Sequence, residues 1–431
     1  MNDNKFTIIS GKYTQGNIQY GMKWKLFYFG SILKSASPPC FVSNFVFFVI
    51  SIIVSCFTSL YPLFTQMLEH FQSDEWSSAF PYSAMLSFIT PTLFPISTII
   101  FAVTIFFIVF IILFFLAYEN SKFILSLWWL FSPHVHIIFY PFVCGIVGFC
   151  MSYITHPLDS ESGRFLYSIY CINIVLFFVY TFILSILDCI ETHSIIGPNP
   201  LFSHYFTAMP IIYPFFYAII CCLSFRIIDF AEINQIIVLV FLSAFCLLIG
   251  LFIIFDKIYM NPLVNKIQSG QFFFMAYSYI FTIITIKSKS YSAIIIYIIP
   301  TLAVLTYLLI QYFVEKSRTK TEKFLMQIGD PSTLTVESLA TTFELIKSER
   351  KFRNIIKVGL SSGQNIVMNE TFVRFVLEKF PKSEWMLRYV VFLYSCVWGC
   401  DSDTYQFLLH LLSVESLLYS TQMILFETTF C

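Results

Sequence analysis

Charge is what this chain has least of. Only 12% of its 431 residues are Asp, Glu, Lys or Arg, about half the roughly 25% found in soluble domains. An excess of one sign is missing as well: 25 basic residues face 25 acidic ones, so no strong field recruits nucleic acid. A secretory leader is also lacking. Residues 1–39 mix Lys5, Lys12, Lys23, Lys25 and Lys34 with Gly, Asn and Tyr, without an apolar core and a small-residue cleavage site. Lipidation signals are absent: Asn2 stands where myristoylation needs Gly, and Thr428-Thr429-Phe430-Cys431 is not a prenylation box. These absences argue against a soluble enzyme, a disordered chain and a secreted disulfide scaffold.

What is present is apolar mass: 58% of residues are hydrophobic and 19% aromatic. The charges divide the chain at about residue 315. Residues 1–314 hold 12 basic and 12 acidic residues, and residues 315–431 hold 13 and 13. Density therefore rises from about 8% to about 22%, the second value being ordinary for water-exposed protein. The expected fold is all-α: a cytoplasmic segment 1–39, a polytopic transmembrane helix bundle over 40–314, and a cytoplasmic helical-repeat domain over 315–431.

A helix needs about 20 apolar residues to cross roughly 30 Å of hydrocarbon. Phe41–Thr65, Ile96–Ala117, Phe165–Leu187 and Ile236–Phe255 meet this directly, and Tyr291–Val314 does so with Pro300 inside it. His136–Ile154, Pro210–Phe225 and the short Phe272–Ile286 bring the expected count to about eight. Phe123–Phe131 reads as an interfacial piece carrying Trp128 and Trp129. Five Lys precede the first span, whereas Gln66–Pro81 holds Glu69, Asp74 and Glu75 and no Lys or Arg, which puts the N-terminus in the cytoplasm. With eight spans the tail is cytoplasmic too, and it opens with Lys316, Arg318, Lys320 and Lys323. Lys287 and Lys289 on the outer side, and an inner loop Asp188–Met209 without Lys or Arg, run against this pattern. Most of the 12 Cys lie in apolar segments, where Cys acts as a small hydrophobe.

The tail shows apolar residues at helical spacing between turn signals. Asp330-Pro331-Ser332-Thr333 reads as a helix start, with Val336, Leu339, Ala340 and Phe343 turned inward. Phe352, Ile355, Ile356 and Leu360 mark a second helix, closed by Ser361-Ser362-Gly363. A third runs from Glu370 to Phe380 and stops at Pro381, and a fourth carries Trp385, Tyr389, Phe392 and Leu393. A fifth follows Asp401-Ser402-Asp403, and a sixth carries Leu417, Leu418 and Leu425. The pattern Thr371-Phe372-x2-Phe375-Val376 recurs as Thr404-Tyr405-x2-Leu408-Leu409, an offset of 33. Tetratricopeptide hairpins repeat every 34 residues, so stacked helical hairpins are expected. Because such arrays need about three units, this domain is expected to be small or to lean on something else.

Chemistry-bearing motifs are few. Gly11-Lys12-Tyr13-Thr14 lacks the upstream glycine of a phosphate loop, and no H-E-x-x-H, G-x-S-x-G or dinucleotide fingerprint occurs. Cys396 and Cys400 with His410 form an incomplete zinc corner without a second pair, and read as buried thiols. His134 and His136 sit at the start of a span, as interfacial histidines do. Arg226, Asp229 and Glu232 at i, i+3, i+6 read as a solvated turn, as do Asp188 and Glu191. Asn173 is the clear mid-span amide, and an interhelical hydrogen bond is its expected role. The Asn369-Glu370-Thr371 sequon falls in the expected cytoplasmic tail, where it is not used.

The stretches Phe352–Leu360, Phe372–Glu378, Lys379-Phe380-Pro381-Lys382-Ser383-Glu384-Trp385 and Tyr389–Tyr394 together resemble the juxtamembrane region of large protist membrane proteins. These are the tiny macrocysts (TmcB/TmcC) family and the related multi-pass nucleotidyl cyclases. The resemblance covers residues 345–428 and implies tetratricopeptide-like repeats here. In many such relatives further spans, sensor modules and a cyclase domain follow. This sequence carries no paired metal-binding Asp motif of a cyclase, so that activity does not transfer. The resemblance implies an N-terminal portion, a truncated paralogue or a partial gene model. The expected function is a non-enzymatic membrane protein whose tail binds a protein partner or relays a signal. A transporter with a regulatory tail and a fragment of a membrane-bound cyclase stand as alternatives. The expected partners are the lipid bilayer and either a protein or a second copy of the chain, with no catalytic, metal or cofactor residues.

Overall fold

The computed structural model describes residues 41–68, 104–109, 111–112, 168–169, 171–181, 230–256, 262–289, 294–328, 334–381 and 383–393, with single positions between 216 and 227. Every regular element among them is helical. Helix α1 spans Phe41–Leu68, α2 Glu232–Asp256, α3 Pro262–Ser288 and α4 Ile294–Gln327. Of these, α2, α3 and α4 are long and apolar enough to cross a membrane. The expected segments His136–Ile154 and 401–431 lie outside the described residues, and Ile96–Ala117, Phe165–Leu187 and Pro210–Phe225 lie only partly inside them.

The central helix of the bundle is α3, which packs against α1, α2 and α4. Its apolar stretch is 61% buried inside the protein, against 17% for α4. Along α2, Leu239, Leu242, Cys246, Ile249 and Ile253 recur every three or four residues, the spacing of one helical face. That face meets Phe272, Met275, Ala276, Tyr279 and Ile286 of α3. Gly250 lets the helices close up, since a Cβ there would stand 3.0 Å from the Phe273 ring. Leu60, Leu63, Phe64 and Met67 of α1 pack with Ile296 and Ile299 of α4 and Phe274, Tyr277 and Phe281 of α3.

Two helices outrun their expected bounds by ten residues or more. The segment expected over Phe272–Ile286 begins ten residues earlier, at Pro262, where proline's fixed φ suits the first helical position. The added turns carry Asn265, Gln268, Ser269 and Gln271, all buried. An apolar-run criterion treats such residues as facing lipid, but here neighbouring helices enclose them. Helix α4 continues 13 residues past Val314 without a break and reaches a length of about 50 Å. The change in charge at residue 315 therefore falls inside one helix. Glu, Lys and Arg are good helix formers, and Arg318 ties Glu322 at 3.0 Å and Glu315 at 3.8 Å along the same turns.

The tail folds as α5 (Val336–Thr342), α6 (Glu349–Ser361), a 3-10 turn (Asn365–Met368), α7 (Glu370–Lys379) and α8 (Glu384–Leu393). Thr335 caps α5: its hydroxyl accepts from the Ser338 amide at 3.2 Å, and the Ser338 hydroxyl accepts from the Thr335 amide at 3.1 Å. The expected start at 330–333 lies outside the described residues. Leu339 and Phe343 are buried as expected, but Ala340 is exposed, because this two-turn helix meets the tail along one edge. Helix α6 ends at Gly363, whose φ of +65° is the left-handed conformation glycine adopts without strain. Gln364 and Gly363 amides donate to the Gly359 and Leu360 carbonyls at 2.9 and 3.3 Å, the paired bonds of a Schellman stop. Phe343 anchors the core, its ring 5.0–6.0 Å from those of Phe324, Phe352, Phe372 and Phe375. Phe324, Leu325 and Ile328, from the end of α4, complete that core.

Candidate functional site

Helix α6 has two working faces. Phe352, Ile355 and Ile356 face the tail core, and Gly359 packs so closely on the 3-10 turn that a Cβ would stand 2.5 Å from Val367. Arg350, Arg353 and Lys357 recur at i, i+3, i+7, a second stripe on the same helix. Lys357 is buried, its side chain 4% exposed. Its Nζ donates to the backbone carbonyl of Asp256 at 2.5 Å and to the Asp256 carboxylate at 3.3 Å.

Asp256 is the last residue of α2. The final carbonyls of a helix lack intrahelical donors and carry the negative end of its dipole. An ammonium placed there satisfies a carbonyl, the dipole and a carboxylate together. Burial lowers the pKa of Lys357, Asp256 acts to raise it, and the nearby charges of Arg353 and Arg350 lower it further. The tail is thus clasped to the end of a helix 101 residues away in sequence, while α4 enters the tail core directly. The junction is fixed at two points.

A second polar centre orders the tail itself. Glu349, the first residue of α6, accepts from Arg353 Nε at 2.9 Å, from Arg353 Nη2 and from the Ser383 hydroxyl at 2.5 Å. The Ser383 oxygen also accepts from the Met386 amide at 3.3 Å, capping α8. Burial works against the Glu349 charge, but the hydrogen bonds from Ser383 and Arg353 and the Arg353 charge prevail, so its pKa lies below the ordinary value. Arg353 lies 5.8 Å from the Trp385 ring centre, and the buried Tyr389 hydroxyl donates to the Val367 carbonyl. Lys379 donates to the Phe343 carbonyl at 2.7 Å and lies over the Phe352 and Phe375 rings. These contacts tie α5 to α8 around one core.

Hydroxyls inside the bundle serve packing. Ser224 meets Tyr279 at 2.6 Å, Tyr277 meets Thr306 at 2.6 Å, and Ser59 donates to Ser278 at 3.4 Å. Ser278 and Thr282 also bond their own helix, to the Phe274 and Ser278 carbonyls. Gln268 Oε1 and Thr285 Oγ1 are buried without a hydrogen-bond partner. They lie 17 residues apart on α3, about 25 Å along its axis, and so do not form one site.

Of the residues singled out by sequence, Asn173 is 1% exposed. Its Nδ2 donates to Thr104 Oγ1 at 2.8 Å and to the Ile169 carbonyl at 3.0 Å, the expected interhelical bond. Glu232 lies exposed in the first turn of α2. Asn369 caps α7, its Oδ1 accepting from the Thr371 amide at 2.8 Å. Arg226, Asp229, His134, His136, Asp188, Glu191, Cys396, Cys400 and His410 lie outside the described residues. The Lys357–Asp256 contact was not anticipated. Its signal was a lysine inside the run Ile355-Ile356-Lys357-Val358-Gly359, all five of them buried, where a one-faced helix would have solvated it. No protein-family model matches the chain, and no curated protein and no solved structure matches it either.

Proposed function

We propose that this chain is a multi-pass membrane protein whose helical tail is coupled to the apolar bundle and passes conformational changes of the bundle to a protein partner, without catalysing a reaction. One observation carries the reading: the tail grips two bundle helices at once. Leu325 of α4 is buried in the tail core, and Lys357 of α6 closes the end of α2. A shift of α2 along α4 strains one of these attachments or turns the tail. A tail that served only as a tether would need neither contact.

The tail and the ends of α2 and α4 face the cytoplasm in this reading. The five N-terminal lysines and the basic start of the tail support that orientation. The tetratricopeptide-like architecture and the relation to the tiny macrocysts family remain part of the proposal, supported by the 33-residue recurrence and the quoted motifs. Protease added to sealed vesicles of known orientation tests the arrangement. The tail is cut only in vesicles exposing the cytoplasmic face; cleavage confined to the opposite face overturns the reading.

A further inference from the structure

The tail is neutral in total, yet its charges are sorted by position. Residues 315–357 carry nine basic and six acidic residues, and residues 358–431 carry four and seven. Among the nine, Arg318 is engaged by Glu315 and Glu322, Arg353 by Glu349, and Lys357 by Asp256. Lys316, Lys320, Lys323, Lys347, Arg350 and Lys351 are exposed and have no carboxylate partner among the described residues.

Four of these six, Lys316, Lys320, Lys323 and Arg350, are tied by their helices to the end of the bundle. Lys316, Lys320 and Lys323 fall at i, i+4, i+7 on α4. At about 100° per residue they form one stripe, roughly opposite the buried Leu325. The stripe faces away from the tail core and begins two residues past Val314. Arg350 shares its α6 face with Lys357, which sits on the last residue of α2, and lies two turns, about 10 Å, from it. That distance is comparable to the Debye length in physiological salt, about 8 Å. Because the tail is clasped, it cannot swing these charges away from the bundle end.

We infer that the exposed basic residues of α4 and α6 form a binding surface for anionic phospholipid headgroups of the leaflet on the tail side. The phosphate and carboxylate groups of such lipids carry the charge opposite to these unpartnered cations.

The test uses the full chain in micelles of a neutral detergent. It is titrated with phosphatidylserine, with phosphatidylcholine of the same acyl chains, and with inorganic phosphate, and retained lipid is counted by native mass spectrometry. Phosphatidylserine is expected to bind in preference to phosphatidylcholine and to weaken as salt rises. Lys316→Gln, Lys320→Gln and Arg350→Gln each lower its affinity about fivefold. Arg374→Gln, at an exposed position of α7, leaves it unchanged. Equal retention of the two lipids, or an equal loss with Arg374→Gln, overturns the proposal. Displacement by inorganic phosphate at matching concentration assigns the surface to a soluble anion and overturns it as well.

Discussion

Replacing Lys357 with Met keeps the length and apolar stem of the side chain and removes the ammonium. Two hydrogen bonds disappear, one to the Asp256 carbonyl and one to its carboxylate. Bonds made by a charged group are worth about 1.5–3 kcal/mol. Burying the ammonium opposes part of that gain, and the Asp256 side chain, 27% exposed, can recover water once its partner is gone. The net cost is therefore about 1–2 kcal/mol, roughly a 5–30-fold rise in the population with α6 undocked. Hydrogen exchange on the full chain in micelles reads this directly, because α6 and the last turn of α2 lose protection together. Asp256→Asn makes the sharper comparison. The shorter bond goes to a backbone carbonyl that no substitution at 256 removes, so Asp256→Asn costs less than half as much as Lys357→Met. Unchanged protection in Lys357→Met, or a larger effect from Asp256→Asn, would refute the reasoning.

Gly359→Ala places a Cβ 2.5 Å from Val367 Cγ1, an overpacking worth about 1–3 kcal/mol. Thermal unfolding should show this loss, and Val367→Ala added to Gly359→Ala should restore part of it. Glu349 has a folded-state pKa below its ordinary value of 4.5, so its contribution is complete above that value and is lost as pH falls through the depressed folded pKa. An acid titration of tail stability shows this limb, and Glu349→Gln removes it. Asn173→Leu breaks the bonds to Thr104 and Ile169 and lowers bundle stability by about 0.6–2 kcal/mol. Thr104→Val in the Asn173→Leu background then adds little in a double-mutant cycle.

How much was legible in the sequence depended on whether the cause was local. The ends of α6 and α7 follow from Gly363 and Pro381, each acting within a turn of itself, whereas the Ser383 cap of α8 emerged only with the fold. Asn173 was legible because an amide in an apolar segment has few ways to satisfy its hydrogen bonds. Helix α3 was cut short because Asn265, Gln268 and Gln271 break an apolar run, and run length cannot distinguish a polar residue exposed to solvent from one enclosed by neighbouring helices. The continuity of α4 was hidden by the jump in charge at residue 315, which brings no change of backbone conformation. Lys357 and Asp256 are 101 residues apart; only the tertiary fold brings them together. The end of α4 lies within the charged stretch after residue 315, and its Leu325 sits in the tail core.

The central claim is that the tail moves as one body with the helices that grip it. A pair of spin labels measures this most directly. One is placed at Leu248, exposed on α2, and one at Arg374, exposed on α7, in the full chain reconstituted in a bilayer. A single narrow distance distribution that broadens in Lys357→Met is the predicted result. A distribution already broad in the unsubstituted chain, or one that Lys357→Met leaves unchanged, would contradict the coupling.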